Sequence, residues 1–290
     1  MKKIFFLILI LVQSLSFANI KVVTTTTVIY DLVKEIGKDK VSVDYIARGD
    51  QDPHFVEVLP SYMMKLRKAD LLFKIGMGLE MWATQLIDGS RNNNLQIIDL
   101  SNEINKKEVP SFKPDASYGD VHPYGNPHYW LDPENIKIMA KEIYENLAGK
   151  DNNNADFYKK NYEDYINKLN AKITDWNKKM SKLKDDNMIF FHASWTYFAD
   201  RYGLKIAGYV EPKPGISPSP SHNADLVKLI KSNNIKVIVM ENFYSDSAPK
   251  QLSELTGAKV IKVPTSVFGM QGIDSYIQMM DYIINQLSNA

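Results

Sequence analysis

From Ile20 onward, short apolar runs rich in β-branched residues alternate with segments of helical period. Ile20 to Thr25, Val41 to Ile46 and Leu71 to Ile75 read as strands, with helices over Ile29 to Ile36 and Ser61 to Lys68 between them. The alternation returns after Asn187. Strands over Met188 to Phe191, Leu204 to Tyr209, Val237 to Met240 and Val260 to Val263 are interleaved with helices over Thr196 to Tyr202, Ala224 to Ser232 and Ala248 to Thr256. Strands joined by helices imply βαβ units, because neighbouring parallel strands need a crossover to connect them. The repetition predicts an α/β protein of two similar lobes with parallel sheets.

Between the two alternating regions the period changes. Ala155 to Lys184 contains neither Gly nor Pro, and its apolar and aromatic positions Tyr158, Tyr162, Tyr165, Leu169, Ile173, Trp176 and Met180 fall three or four apart. The spacing predicts one long, rigid helix of about 45 Å at 1.5 Å per residue, enough to run the height of both lobes. A coiled-coil arm would show the same period, but three tyrosines and a tryptophan on one seam suit packing against a globular body better than a heptad zipper. The expected plan is a leader over residues 1–18, an N-terminal lobe over 19–150, the linking helix over 151–186 and a C-terminal lobe over 187–290.

The leader sets the compartment. Lys2 and Lys3 precede an apolar run from Ile4 to Val12 and the small-x-small sequence Ser16-Phe17-Ala18, the pattern of a secretory signal peptide with the mature chain starting near Asn19. The run is shorter than the roughly 20 residues of a membrane span, so a soluble periplasmic protein, not inserted in a membrane, is expected. The sequence has no cysteine, which excludes disulfides, thiolate metal sites and a lipidated cysteine at the cleavage point. Its 35 basic and 34 acidic residues nearly cancel, so no basic face for nucleic acid is indicated.

Only five histidines occur. His54 and His128 follow Pro in Asp52-Pro53-His54 and Asn126-Pro127-His128, and His192 ends a predicted strand. Ligands of open α/β sheets bind beyond the carboxyl ends of strands, where residues of two lobes can share a cleft. A single loop histidine is usually just solvated. Three in such settings, with no thiolate available, point to imidazole ligation of Zn²⁺ before Mn²⁺.

The segments Asp52-Pro53-His54-Phe55-Val56-Glu57, Asn126-Pro127-His128-Tyr129-Trp130-Leu131-Asp132-Pro133 and His192 through Leu204 resemble the signatures of the zinc- and manganese-binding solute-binding proteins of ABC transporters. The similarity extends over essentially the whole chain after the leader. It implies a metal held in the interlobe cleft by His54, His128 and His192, delivery to a membrane ABC permease with its ATPase, and action as a monomer. Manganese-preferring members commonly carry Glu at the third position, so His192 leans toward zinc. The carboxylate usual after the last strand of the second lobe is missing from Thr265 to Gly269. The fourth partner is therefore Glu241, which the resemblance places beside the metal, or Asp274, or water.

His122, with Asp115 and Asp120, forms at most a vestige of the metal-gathering loop of zinc-binding relatives, and His222 reads as a cap or surface residue before a helix starting at Ala224. Gly76-Met77-Gly78 lacks the third glycine of a dinucleotide fingerprint, and no metallopeptidase, nucleophile-elbow or phosphate-loop motif is present. No enzyme is expected. A zinc-dependent hydrolase and a secreted adhesin are the readings of other classes against which the receptor must be weighed.

Overall fold

The computed structural model describes residues 19–112, 119 and 122–290; the leader, Asp115 and Asp120 lie outside them. The elements run β1 (Ile20–Thr24), α1 (Thr27–Gly37), β2 (Val41–Tyr45), α2 (Pro60–Arg67), β3 (Leu71–Lys74), α3 (Ala83–Ser90), β4 (Gln96–Asp99), α4 (Pro133–Lys150) and α5 (Ala155–Met180). Then follow β5 (Asn187–Phe190), α6 (Thr196–Tyr202), β6 (Lys205–Tyr209), α7 (Pro220–Ser232), β7 (Val237–Glu241), α8 (Ser247–Thr256), β8 (Lys259–Val263) and α9 (Tyr276–Ser288). Two four-stranded, wholly parallel sheets result, ordered β2-β1-β3-β4 and β6-β5-β7-β8. Both sheets reverse direction of growth at the same place, β1 beside β3 and β5 beside β7, which is where such folds open a crevice. No helix among the described residues is long and apolar enough to cross a membrane.

Period-two alternation divides each strand between two cores. Val22, Leu71 and Phe73 of the first sheet and Met188, Phe190, Val237 and Val239 of the second all belong to one continuous apolar cluster with α1, α4, α5 and α9. The odd faces are covered separately: Val23 and Leu72 pack with Leu66 and Leu86, and Ile189, Ile238 and Met240 pack with Leu226, Ile230 and Leu252. The linking helix is therefore embedded in a shared core. Its Tyr158, Tyr165, Leu169, Ile173, Trp176 and Met180 are buried, Tyr162 stacks on Tyr144 of α4 at 5.2 Å, and Trp176 Nε1 donates to Asp281 of α9 at 2.8 Å.

Two bounds differ from the periodic reading. The long helix ends at Met180, about 39 Å from its start, and residues 181–183 tighten into a 3₁₀ turn. α7 begins at Pro220, four residues before the expected start, because Ser219 caps it by accepting the His222 N–H and proline suits the first helical position. α3, β4, α4 and α9 were not singled out by the pattern.

Besides sharing the long helix, the lobes meet directly. Trp130 Nε1 donates to Thr265 O at 2.8 Å and Thr27 Oγ1 to Val267 O at 2.7 Å. A Cβ on Gly49 would come within 1.9 Å of Val267 O, so only glycine permits that approach. α9 closes the contact, its Tyr276 N–H donating to Asp31 Oδ2 on α1 at 2.8 Å.

Burial pushes the Asp31 carboxyl up to about 7. A carboxyl whose folded value lies above its unfolded value of about 4 stabilises the fold fully below pH ~4, and that contribution is lost as pH rises through ~7. Asp31→Asn keeps an acceptor for Tyr276 and carries no charge. It is expected to be more stable than wild type at pH 8, by at least about 1 kcal/mol, and to match it near pH 4. Urea titrations at the two pH values check this.

Candidate metal site

Two of the three histidines sit in turns and are set by the same local device. In Asp52-Pro53-His54 the Asp52 Oδ1 atom accepts both the His54 backbone N–H, at 3.0 Å, and its ring Nδ1, at 2.6 Å. In Asn126-Pro127-His128 the Asn126 Oδ1 atom does the same at 3.0 and 2.9 Å. The proline fixes the middle φ, and the short Asx side chain folds back over it. Each ring is thus oriented by the residue two positions earlier.

The third histidine is set by strand register. Phe190 lies opposite Tyr209 of β6 and Val239 of β7. Two residues further on, the same register brings His192 between Glu211 and Glu241. The backbone confirms the continuation, with Glu211 N donating to Phe191 O and Phe191 N to Val239 O. Glu211 Oε2 meets His192 Nδ1 at 2.7 Å. Glu241 is fully buried, and its Oε1 accepts from Ser194 Oγ at 2.7 Å and Trp195 Nε1 at 2.9 Å.

The three imidazoles converge. One ring nitrogen from each of His54, His128 and His192 lies within 4.8 Å of the others, the sole such grouping of histidine and carboxylate donors among the described residues. An oxygen acceptor at Nδ1 keeps the proton there and leaves the lone pair of the neutral ring on Nε2, the arrangement found behind metal-bound histidines. Beside them lies a cavity of about 90 Å³ lined by His122, His128, His192, Glu108 and Pro214 among others. That is room for an ion and a few waters at about 30 Å³ each, far short of the ~300 Å³ or more of an organic-ligand pocket.

The other sequence candidates are spread around this cluster. Glu241 is not within the converging group but flanks His192. Asp274 is exposed in the turn before α9, its N–H donating to Gln278. His122 stacks on His54 at 5.1 Å and rests over Gly78, whose φ of +89° suits glycine. His222 meets Tyr209 O at 3.1 Å, away from the converging group. Three site residues escaped the sequence reading: Asp52, Asn126 and Glu211. The first two carried a signal, an Asx two places before each Pro-borne histidine; Glu211 had none, since only the pairing of β5 with β6 brings it to His192.

The charges oppose one another. Burial, then His54, His192 and His122, push His128 well below its ordinary value. Burial pulls His192 the same way, but the Glu211 hydrogen bond and the charges of Glu241, Glu211 and Asp52 outweigh it and raise the ring. Asp52 is likewise raised by burial but held low overall by His54, and burial lifts Glu241 to about 7.

Comparison with known proteins gives a consistent picture. Residues 22–290 match the family model described as zinc-uptake complex component A, periplasmic. A manganese ABC transporter substrate-binding lipoprotein, PsaA, of Streptococcus pneumoniae is 28% identical over 283 residues, covering 94% of this chain and 89% of its own. A metal ABC transporter substrate-binding lipoprotein of Lactococcus lactis is 29% identical over 283 residues, covering 93% and 87%. Among solved structures, that of ZnuA superposes with a TM-score of 0.81 at 23% identity, covering 94% of this chain and 99% of its own.

In the metal-free protein the ring protons of His128 and His192 should titrate far apart. His192 is expected to have a midpoint above 6.5 and His128 to stay neutral well below it, as NMR of the imidazole resonances against pH would show; coincident midpoints would mean the surrounding carboxylates do not act as described.

Proposed function

Because the chain belongs to the periplasmic zinc-uptake component family, the substrate-binding receptors of metal ABC transporters, we propose that it captures Zn²⁺ on His54, His128 and His192 and delivers it to a membrane permease and its ATPase. A receptor of this kind is not an enzyme. Its working place is outside the cytoplasmic membrane; with no cysteine in the 290 residues, we take it to diffuse in the periplasm as a monomer, although the relatives are named as lipoproteins.

The observation that carries the reading is the convergence of three imidazoles, each with Nδ1 already committed to an oxygen. Such a set leaves three Nε2 lone pairs free to face one place. Neutral imidazoles leave the ion's charge of +2 intact, and an uncompensated buried charge is costly. Asp52 and Glu211 offset it through the rings they hold, and Glu241 adds a third carboxylate beside His192. A direct carboxylate ligand is therefore not required, and water can fill the remaining position.

Zinc is favoured by the ligand chemistry, because imidazole suits Zn²⁺ whereas Mn²⁺ prefers oxygen donors. The second reading, a manganese receptor, is favoured by the names of the streptococcal relatives. Because most nitrogen and oxygen sites bind Zn²⁺ more tightly than Mn²⁺ whatever their role, import separates the readings: deletion of the gene should abolish high-affinity zinc uptake, and loss of manganese uptake with zinc uptake intact would replace the zinc reading with the manganese one.

Removing any one of His54, His128 or His192 by substitution with Ala should weaken zinc binding by at least ~100-fold, several kcal/mol of a site worth about 10 or more. Glu241→Gln should cost less, about 10-fold. Affinity should also fall as pH drops through the raised His192 midpoint, above the ordinary value of ~6.5, since each ring must be neutral to ligate. Chelator competition across pH checks all three, and wild-type affinity in two of the histidine variants would remove the assignment.

A further inference from the structure

His128 differs from the other two histidines in what lies behind it: its Nδ1 partner is an amide, not a carboxylate. An amide can turn by 180° and present N–H in place of oxygen, which would leave the ring proton on the wrong nitrogen. The surroundings of Asn126 decide the matter. Its Nδ2 donates to Glu108 Oε2 at 2.8 Å and to Ala193 O at 2.7 Å, both pure acceptors. Glu108 in turn takes the Thr196 hydroxyl on its other oxygen, at 2.9 Å. Glu108 lines the cavity and is held in a left-handed backbone conformation, φ +53°, that a glutamate adopts only where its surroundings impose it. Its neighbour Lys107 is fixed on both sides, the N–H donating to Tyr197 Oη at 3.0 Å and the carbonyl accepting from Asn126 N at 2.8 Å.

We propose that Glu108 is a positioning residue for metal capture: through the Asn126 amide it locks His128 as the Nδ1–H tautomer with Nε2 toward the ion. The chain runs from carboxylate to amide N–H, and from amide oxygen to ring N–H, so His128 is backed by a carboxylate at one remove as His54 and His192 are directly. Thr196 and Ala193 belong to the C-terminal lobe, while Glu108 and Asn126 belong to the N-terminal one. The lock is thus complete only while the lobes are in contact, and parting α6 from residues 107–108 would loosen the ion as well.

This inference rests on His128 being a ligand. The test compares Glu108→Ala and Glu108→Leu, which remove the acceptor with and without leaving space, and Glu108→Gln, which keeps an acceptor oxygen. Zn²⁺ affinity and dissociation are measured by chelator competition, and the His128 tautomer by ¹⁵N NMR of the ring nitrogens. Ala and Leu are expected to bind about 10-fold more weakly, release faster and show Nε2–H His128 in the metal-free protein, whereas Gln stays within about threefold of wild type. Wild-type affinity in the Ala and Leu variants overturns the proposal, as does weaker binding with His128 still entirely Nδ1–H, which would make Glu108 only a strut between lobes. If His128→Ala also binds zinc normally, the ligand reading itself has failed; if it is impaired while the Glu108 variants are not, only this inference has.

Discussion

An imidazole ligates a metal through one nitrogen only, and which nitrogen is available is set by the hydrogen bond at the other. Three such bonds set the rings here, donated by the Nδ1–H groups of His54, His128 and His192 to oxygens of Asp52, Asn126 and Glu211. Much of the surrounding architecture serves to hold those oxygens. Two come from Pro-stiffened turns in which the acceptor is local to the histidine, and the third from a neighbouring strand. Local geometry thus supplies the first-lobe donors and sheet register the second-lobe one.

Two of the three oxygens, those of Asp52 and Glu211, belong to carboxylates and would offset the charge of an ion held among neutral rings. A carboxylate bonded to a ring raises its basicity and carries charge to within one imidazole of the ion without taking a coordination position. Asp52 is further tied by Tyr244, whose hydroxyl donates to its Oδ2 at 3.1 Å from the other lobe. The C-terminal lobe therefore helps orient the donors of the N-terminal one, through Tyr244 on Asp52 and Ala193 O on Asn126.

Much of the fold was legible because each strand and helix has its own local pattern. Val22 and Val23, or Phe190 and Phe191, alternate between two apolar cores, and the seam from Tyr158 to Met180 announces the long helix. The histidines stood out through their rarity and their Pro-bearing neighbours. What stayed hidden is non-local. That the inner faces of both sheets share one core with α9 cannot be read from any one segment, and Glu211 reaches His192 across 19 positions only because β6 pairs with β5. Asn126 and Asp52 were in plain view; their role emerges only once the ring they serve is seen to need its proton held.

The shared core has a consequence for how the receptor meets its transporter. Since the inner faces of both sheets, α5 and α9 form a single apolar body, opening the lobes widely would bring that surface into water, at roughly 25 cal/mol for each Å² exposed. If the chain works as proposed, its empty and loaded forms would be near neighbours in shape, leaving a permease only small local differences by which to tell them apart. Empty receptors would in that case compete with loaded ones for the same docking place. Uptake would then follow the ratio of loaded to empty receptor, and making more receptor under metal starvation would help only where affinity keeps that ratio large.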